Sequence, residues 1–129
     1  MNKKFLVAGA VFGLLGVVIG AFAAHGLRPL ITTESLQTFE TGVKYQMYHA
    51  LFLLILAGGN FLTPKLKDAV FYLLIFGILF FSGSIYLLAT NNLTGFDFRS
   101  IALVTPLGGS LLIIAWILVL ISVIKLKEK

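Results

Sequence analysis

The sequence contains no cysteine among its 129 residues, which excludes disulfides, thiolate metal sites and cysteine nucleophiles. Charge is also scarce, because only 12% of the residues are Asp, Glu, Lys or Arg, against roughly 25% in a soluble domain. Hydrophobic residues make up 59% and the mean hydropathy is +1.03. So few charges cannot cover a water-facing surface. The composition excludes an ordinary soluble enzyme, a disordered tail and a nucleic-acid-binding module, and it predicts a multi-pass membrane protein.

The apolar segments themselves lack ionisable groups at their centres. Pumps and ion exchangers normally carry an Asp, Glu, Lys or Arg there, so these classes are disfavoured. No phosphate-binding glycine loop, nucleophile elbow or pair of carboxylates occurs either. We therefore expect a protein that is not an enzyme, with no cofactor and no metal, and with the lipid bilayer as its principal partner.

Four apolar segments are long enough for helices that cross about 30 Å of hydrocarbon. They cover about residues 5–24, 47–62, 69–89 and 101–124. The predicted fold is all-α: an integral membrane four-helix bundle formed by one domain, residues 1–129. The first segment also resembles a cleavable signal peptide, but its apolar run of about 20 residues exceeds the usual 7–15, and we expect it to be retained. Pro106 should kink the fourth helix or mark a break near its outer end.

The basic residues are distributed unequally between the two ends of these segments. By the positive-inside rule, the richer end faces the cytoplasm. This predicts a multi-pass protein of the cell membrane with both termini cytoplasmic. The richer side holds Lys3, Lys4, Lys65, Lys67, Lys125, Lys127 and Lys129, and the other side holds Arg28, Lys44 and Arg99.

The long first outer loop has a helical pattern of its own. Thr32 and Thr33 are suitable N-caps, apolar residues recur at three- and four-residue steps, and Glu40 and Lys44 have the spacing of a favourable ion pair. We predict a short amphipathic helix over residues 34–44 that lies at the outer interface, covers the bundle and leads directly into the second membrane helix.

Glycines form a second pattern. Gly9, Gly13, Gly16 and Gly20 fall on one face of the first helix, where small residues allow another helix to approach closely. Gly83, Gly108 and Gly109 suggest similar packing in the third and fourth helices. The partner is a helix of the same chain, a second copy in a homo-oligomer, or another membrane protein.

The two histidines are the main candidates for chemistry. His25 ends the first segment and His49 begins the second, so we expect both at the same outer depth, in a polar cluster with Tyr45 and Gln46. The hydroxyl-bearing residues Ser82, Tyr86 and Thr105 would face them. The plain interpretation is hydrogen bonding at helix ends. A proton-transfer or ligand role, and a metal or haem site with an incomplete ligand set, are the alternatives.

Four sequence motifs, taken in order, resemble one family. They are Gly-Ala-Phe-Ala-Ala-His-Gly-Leu at 20–27, the segment at 39–51 that contains Tyr-Gln-Met-Tyr-His, Phe-Ser-Gly-Ser-Ile-Tyr at 81–86, and Thr-Pro-Leu-Gly-Gly at 105–109. The chain resembles the domain-of-unknown-function 423 family, also called uncharacterised protein family 0382. Ala23 departs from the pattern, since the family more often has glycine there. The resemblance implies a four-helix protein of the bacterial plasma membrane without an assigned activity, and it transfers no catalytic residue.

Together these features predict a small non-enzymatic membrane protein whose outer polar cluster docks a small polar solute or a lipid head group. One alternative is an oligomeric channel or carrier for a neutral or lipid-linked solute. The other is a haem- or quinone-binding membrane protein.

Overall fold

A computed structural model describes residues 2–127, and all regular secondary structure in this part of the chain is helical, with no strand. Helix α1 spans Lys3–Phe22 and continues through a π-helical turn, Ala23–Leu27. Helix α2 spans Thr33–Gly58, α3 spans Pro64–Ala89, and α4 spans Val104–Ile124. Two short 3₁₀ turns, Asn91–Leu93 and Phe98–Ile101, lie between α3 and α4.

The second helix has no break between its predicted parts. The predicted interfacial helix at 34–44 leads directly into the predicted segment at 47–62, and the two form one uninterrupted helix, because no breaking residue separates them. Its N-terminus is capped by the Thr32 side chain, which accepts a hydrogen bond from the Ser35 amide. It ends at Gly58, four residues before the predicted end, since Gly59 takes an extended backbone conformation.

Two other helix boundaries also move. Helix α3 begins at Pro64 rather than about residue 69, because the Thr63 side chain caps the Leu66 amide and proline fits the first helical position. Helix α4 begins at Val104 rather than about residue 101. Pro106 therefore lies in its first turn, where the missing amide proton is tolerated.

Three helical segments among the described residues are both long enough and apolar enough to cross a membrane. Lys3–Leu27, Pro64–Ala89 and Phe98–Ile124 contain 25, 26 and 27 residues and are apolar enough to cross a bilayer. Their large apolar side chains point outward, as at Leu14 and Ile113, which are 67% and 60% exposed. This pattern suits helices whose outer surface meets lipid rather than water.

Consecutive helices make the most extensive contacts: α1 with α2, α2 with α3, and α3 with α4. The larger core lies between them at the end of the bundle that carries the chain termini, around Phe5, Leu53, Val70, Leu74 and Ala115. At the same end, the Lys4 ammonium lies 2.6 Å from the Asp68 carboxylate. Lys129, one of the predicted cytoplasmic lysines, lies outside the described residues.

The glycines of α1 face α2. A Cβ at Gly9 would lie 2.8 Å from Leu54, and one at Gly16 would overlap the Met47 sulfur. Looser contacts with α2 occur at Gly13 and Gly20. These glycines therefore set the spacing of a helix pair within the chain.

Among the glycines between α3 and α4, Gly108 has the tightest contact, since a Cβ there would overlap the backbone of Phe80 and Phe81. Gly109 contacts the Phe81 ring more loosely. Gly83 departs from the prediction that it packs against a helix. A Cβ at Gly83 would meet no described atom within 4 Å, because this side of α3 faces an open groove.

Candidate functional site

The predicted polar residues form three separate hydrogen-bonded groups rather than one cluster. The first group, the Gln46 bridge, joins α1, α2 and α3. The Gln46 amide nitrogen donates to the Phe12 carbonyl at 2.8 Å, and the Tyr86 hydroxyl donates to the Gln46 carbonyl oxygen at 2.6 Å. Nearby, the Ser82 hydroxyl donates to the Gly42 carbonyl at 2.7 Å. Gln46 is only 3% exposed, so its amide serves as an internal crosslink.

The second group is centred on His49. Its Nδ1 lies 2.6 Å from the Tyr45 carbonyl oxygen, and the Trp116 indole nitrogen lies 3.0 Å from its Nε2. A carbonyl can only accept a hydrogen bond and an indole N–H can only donate one. The two partners therefore assign a neutral imidazole with its proton on Nδ1. Both ring nitrogens are engaged, and a metal ion could bind Nε2 only by displacing Trp116.

A cleft of about 320 Å³ opens beside His49; we call it the α2–α4 cleft. The Tyr45 ring lies 4.9 Å from that of Phe81 on one side. On the other side, Trp116 stacks on Phe52, with ring centroids 3.8 Å apart and planes within 3°. The lining is mostly aromatic and aliphatic. Its residues are Tyr45, His49, Phe81, Gly109, Leu112, Ile113 and Trp116.

The third group joins α3 to α4. The Ser84 hydroxyl donates to the Phe81 carbonyl at 3.0 Å and also contacts the Thr105 hydroxyl. Since Ser84 has a single hydroxyl proton, Thr105 must donate in that contact. Thr105 therefore lies in a helix–helix link and not opposite the histidines.

His25 lies apart from all three groups. It is exposed, within the π-helical turn. The Gln46–Phe12 bond places the His49 region level with Phe12, and His25 lies 13 residues further along α1, about 20 Å at 1.5 Å per residue. The expected common depth of the two histidines is therefore wrong. The apolar pattern of the sequence places His49 at the start of the second membrane segment, but α2 begins at Thr33. His49 therefore lies in the middle of α2, well below the level of His25.

A tight polar loop connects α3 to α4. The Arg99 guanidinium donates to both oxygens of the Asp97 carboxylate, and the Asn91 amide donates to it as well. The bond to Arg99 lowers the pKa of Asp97 to about 2, and the carboxylate in turn raises the pKa of Arg99. Both side chains are exposed, so this motif shapes the loop and adds little to overall stability.

Within residues 2–127, no three His, Cys, Asp or Glu side chains lie close enough to share a metal ion. Each buried side-chain nitrogen or oxygen in this part of the chain has a hydrogen-bond partner. The polar interior is thus internally satisfied.

Sequence reasoning missed Trp116. It is the single tryptophan of the chain, and it lies in the middle of α4. A tryptophan inside an apolar helix needs an acceptor for its N–H, and His49 was an available acceptor at membrane depth. The presence of one indole donor and one imidazole acceptor within the apolar segments is the signal from which the Trp116–His49 contact could have been predicted.

Comparison with known proteins supports the family resemblance. A family model described as "Protein of unknown function (DUF423)" matches residues 19–109. The chain belongs to the DUF423 family. The matched range contains all four motifs of the sequence analysis, which confirms the resemblance. No solved structure matches the chain.

Relatives of this DUF423 protein cover nearly its whole length. It is 40% identical over 128 residues to the UPF0382 membrane protein YwdK of Bacillus subtilis, covering 95% of this chain and 98% of the relative. It is 39% identical over 124 residues to a UPF0382 membrane protein of Staphylococcus saprophyticus, covering 96% and 99%. It is 34% identical over 133 residues to the UPF0382 inner membrane protein YgdD of Escherichia coli, covering 100% and 96%. These names confirm the prediction that the chain is a membrane protein of a family without an assigned activity.

Proposed function

We propose that this DUF423 protein is a non-enzymatic, four-span protein of the cell membrane with both termini in the cytoplasm. Helix α2 serves as the fourth span. Its polar residues Gln46 and His49 find partners on α1, α3 and α4, so between Tyr45 and Gly58 the helix exposes mainly apolar and aromatic side chains to the bilayer. The charged and polar side chains exposed before Tyr45 belong to the outer interface. The lysine-rich ends of the helices support the orientation.

The absence of cysteine makes this topology easy to test. Single cysteines would replace Thr94, in the α3–α4 loop, and Lys65, at the start of α3. We expect a membrane-impermeant maleimide to label Thr94→Cys in intact cells, and Lys65→Cys only after permeabilisation. The reverse labelling pattern would overturn the topology, because it would follow either from an inverted orientation or from an α2 that stays outside the membrane. Labelling of both sites from outside would mean that α3 does not cross the bilayer.

The activity that the geometry supports best is binding of a membrane lipid's hydrocarbon chain in the α2–α4 cleft. The observation that carries this proposal is the His49–Trp116 hydrogen bond. This bond pairs the polar nitrogens of His49 and Trp116 with each other, so the surface that the cleft offers to a ligand is mainly apolar. Tyr45 and Trp116, which are 41% and 47% exposed, continue this surface outward to where lipid chains lie. The same bond disfavours haem, whose iron would need the engaged Nε2.

Trp116 provides the test, because its fluorescence reports on the cleft without interference from another tryptophan. We expect lipids with brominated chains to quench this emission more steeply than their mole fraction in the membrane. Gly109→Leu, which fills the cleft, should restore simple proportionality. Gly83→Leu adds the same side chain outside the cleft and should leave the steep quenching unchanged.

Proportional quenching in the unmodified protein would refute a preferred lipid site. A coloured purified sample, or one carrying a stoichiometric quinone, would instead favour the redox alternative. An oligomeric channel or carrier would require a water-filled path between protomers, and detergent-resistant oligomers with such a path would favour that alternative.

A further inference from the structure

A second cavity lies at the opposite end of the bundle from the chain termini, where the π-helical turn meets the start of α2. Its volume is about 290 Å³; we call it the outer cleft. It is lined by Arg28, Thr33, Leu36, Gln37 and Glu40. Leu36, which is 8% exposed and belongs to a small apolar core, closes its base. Charged and amide side chains therefore surround an apolar floor.

The two charges of the outer cleft have opposite sign but do not neutralise each other. The described residues form ion pairs at Lys4–Asp68 and Arg99–Asp97, and neither Arg28 nor Glu40 takes part in one. The ion pair expected between Glu40 and Lys44 is not formed. Glu40 is half-buried and lines the cleft without an ion-pair partner among the described residues. A cation brought into the cleft would form a charge-assisted hydrogen bond with its carboxylate.

The other side of the cleft suits an anion. The guanidinium of Arg28 matches the geometry of phosphate oxygens. Thr33 is the first residue of the 26-residue helix α2, and the positive end of the helix dipole lies there. The outer cleft thus offers an anion subsite and a cation subsite within one small cavity, with Gln37 between them along the helix.

We propose that the outer cleft binds the head group of an aminophospholipid, with the phosphate at Arg28 and the primary ammonium at Glu40. Phosphatidylglycerol has no cation for Glu40, and phosphatidylcholine has a quaternary ammonium without N–H donors. Phosphatidylethanolamine carries both a phosphate for Arg28 and a primary ammonium for Glu40, so it satisfies both subsites. The proposal rests on the topology proposed above, which places this end of the helices at the non-cytoplasmic interface of the cell membrane.

The experiment compares three lipids with identical chains, each added to the purified full-length protein in detergent. We expect phosphatidylethanolamine to raise the unfolding temperature at lower concentration than phosphatidylglycerol or phosphatidylcholine. Arg28→Gln and Glu40→Gln should each weaken the apparent affinity for phosphatidylethanolamine about tenfold, since each removes a charge-assisted hydrogen bond. Glu34→Gln and Lys44→Gln remove neighbouring charges that do not line the outer cleft, and both should retain the preference.

Equal stabilisation by the three lipids would overturn the proposal, as would a loss of preference in Glu34→Gln as large as that in Glu40→Gln. Free phosphoethanolamine distinguishes the source of the head group. If it stabilises the protein as strongly as the lipid does, the assignment to a lipid is wrong. Lipid binding in detergent does not depend on which side of the membrane the cleft faces. If the preference for phosphatidylethanolamine persists but the cysteine labelling pattern is reversed, the proposed topology is wrong and the proposed lipid site is still supported.

Discussion

Two glycines on neighbouring helices should respond oppositely to the same substitution. At Gly108, a Cβ would lie 2.7 Å from the Phe80 carbonyl carbon and 2.9 Å from the Phe80 Cβ. The obstructing atoms include backbone, which cannot rotate away, so Gly108→Ala must push α3 and α4 apart. At Gly83, a Cβ would enter open space. Gly83→Ala therefore changes helix propensity with no steric conflict.

The magnitudes follow from these contacts. Overpacking of this kind costs about 1–3 kcal/mol, while replacing glycine by alanine within a helix gains about 0.5–1 kcal/mol. We expect Gly108→Ala to lower the free energy of unfolding by about 1–2 kcal/mol and Gly83→Ala to raise it by up to about 1 kcal/mol. The difference of about 2 kcal/mol corresponds to roughly a thirtyfold change in the unfolding equilibrium.

The assay is reversible unfolding in mixed micelles, in which the mole fraction of denaturing detergent is increased. Circular dichroism follows the helices, and Trp116 fluorescence follows the separation of α4, two turns beyond Gly108. Equal stability of the two variants would refute the reasoning, because it would mean that α3 and α4 do not approach closely at Gly108. A Gly83→Ala variant less stable than the parent would show that the α3 groove is occupied.

Three further predictions concern the polar groups. Gln46→Leu should destabilise the protein by about 1–3 kcal/mol, because it leaves the Tyr86 hydroxyl without its hydrogen-bond acceptor. In a double-mutant cycle with Tyr86→Phe, the coupling energy should be about 0.6–1.7 kcal/mol. A coupling energy near zero would disprove the Gln46 bridge. Nitrogen NMR should show His49 neutral with its proton on Nδ1, and a proton on Nε2 would contradict the indole bond. The pKa of Asp97 is about 2, below its ordinary 3.8, so its stabilising pair with Arg99 should persist as pH falls from 7 to about 4 and be lost as pH falls through 2. A carboxyl carbon NMR titration with a midpoint near 4 would contradict this pair.

Helix formation and membrane character could be read from the sequence, because both follow from long apolar runs and scarce charge. Helix ends were less predictable. Hydropathy places the start of α3 after the charged residues Lys65, Lys67 and Asp68, whereas the Thr63 cap and Pro64 start the helix before them. Capping is a local hydrogen-bond effect that an average over twenty residues does not register.

The candidate site was partly predictable. Gln46, Ser82 and Tyr86 do meet across helices, as the sequence suggested for polar residues on neighbouring helices. His25 and His49 do not meet, because their depth depends on the register of α1 against α2. The close approaches at Gly9 and Gly16 fix that register, and the loop connecting the helices does not reveal it. The Trp116 contact depends in turn on where α4 packs against α3.

The continuous, partly polar helix α2 has a consequence for how the chain enters the membrane. Insertion machinery releases segments into lipid according to their apolarity, and buried polar residues count against release. Of the long helices in residues 2–127, α2 alone is not apolar enough to qualify as a span by composition. On the proposed topology it should enter together with α3, as a hairpin closed by the short turn between Gly58 and Pro64. Chains that end before α3, and that carry a C-terminal linker long enough to clear the ribosome, should therefore leave α2 accessible to water, and inclusion of α3 should draw it into the bilayer.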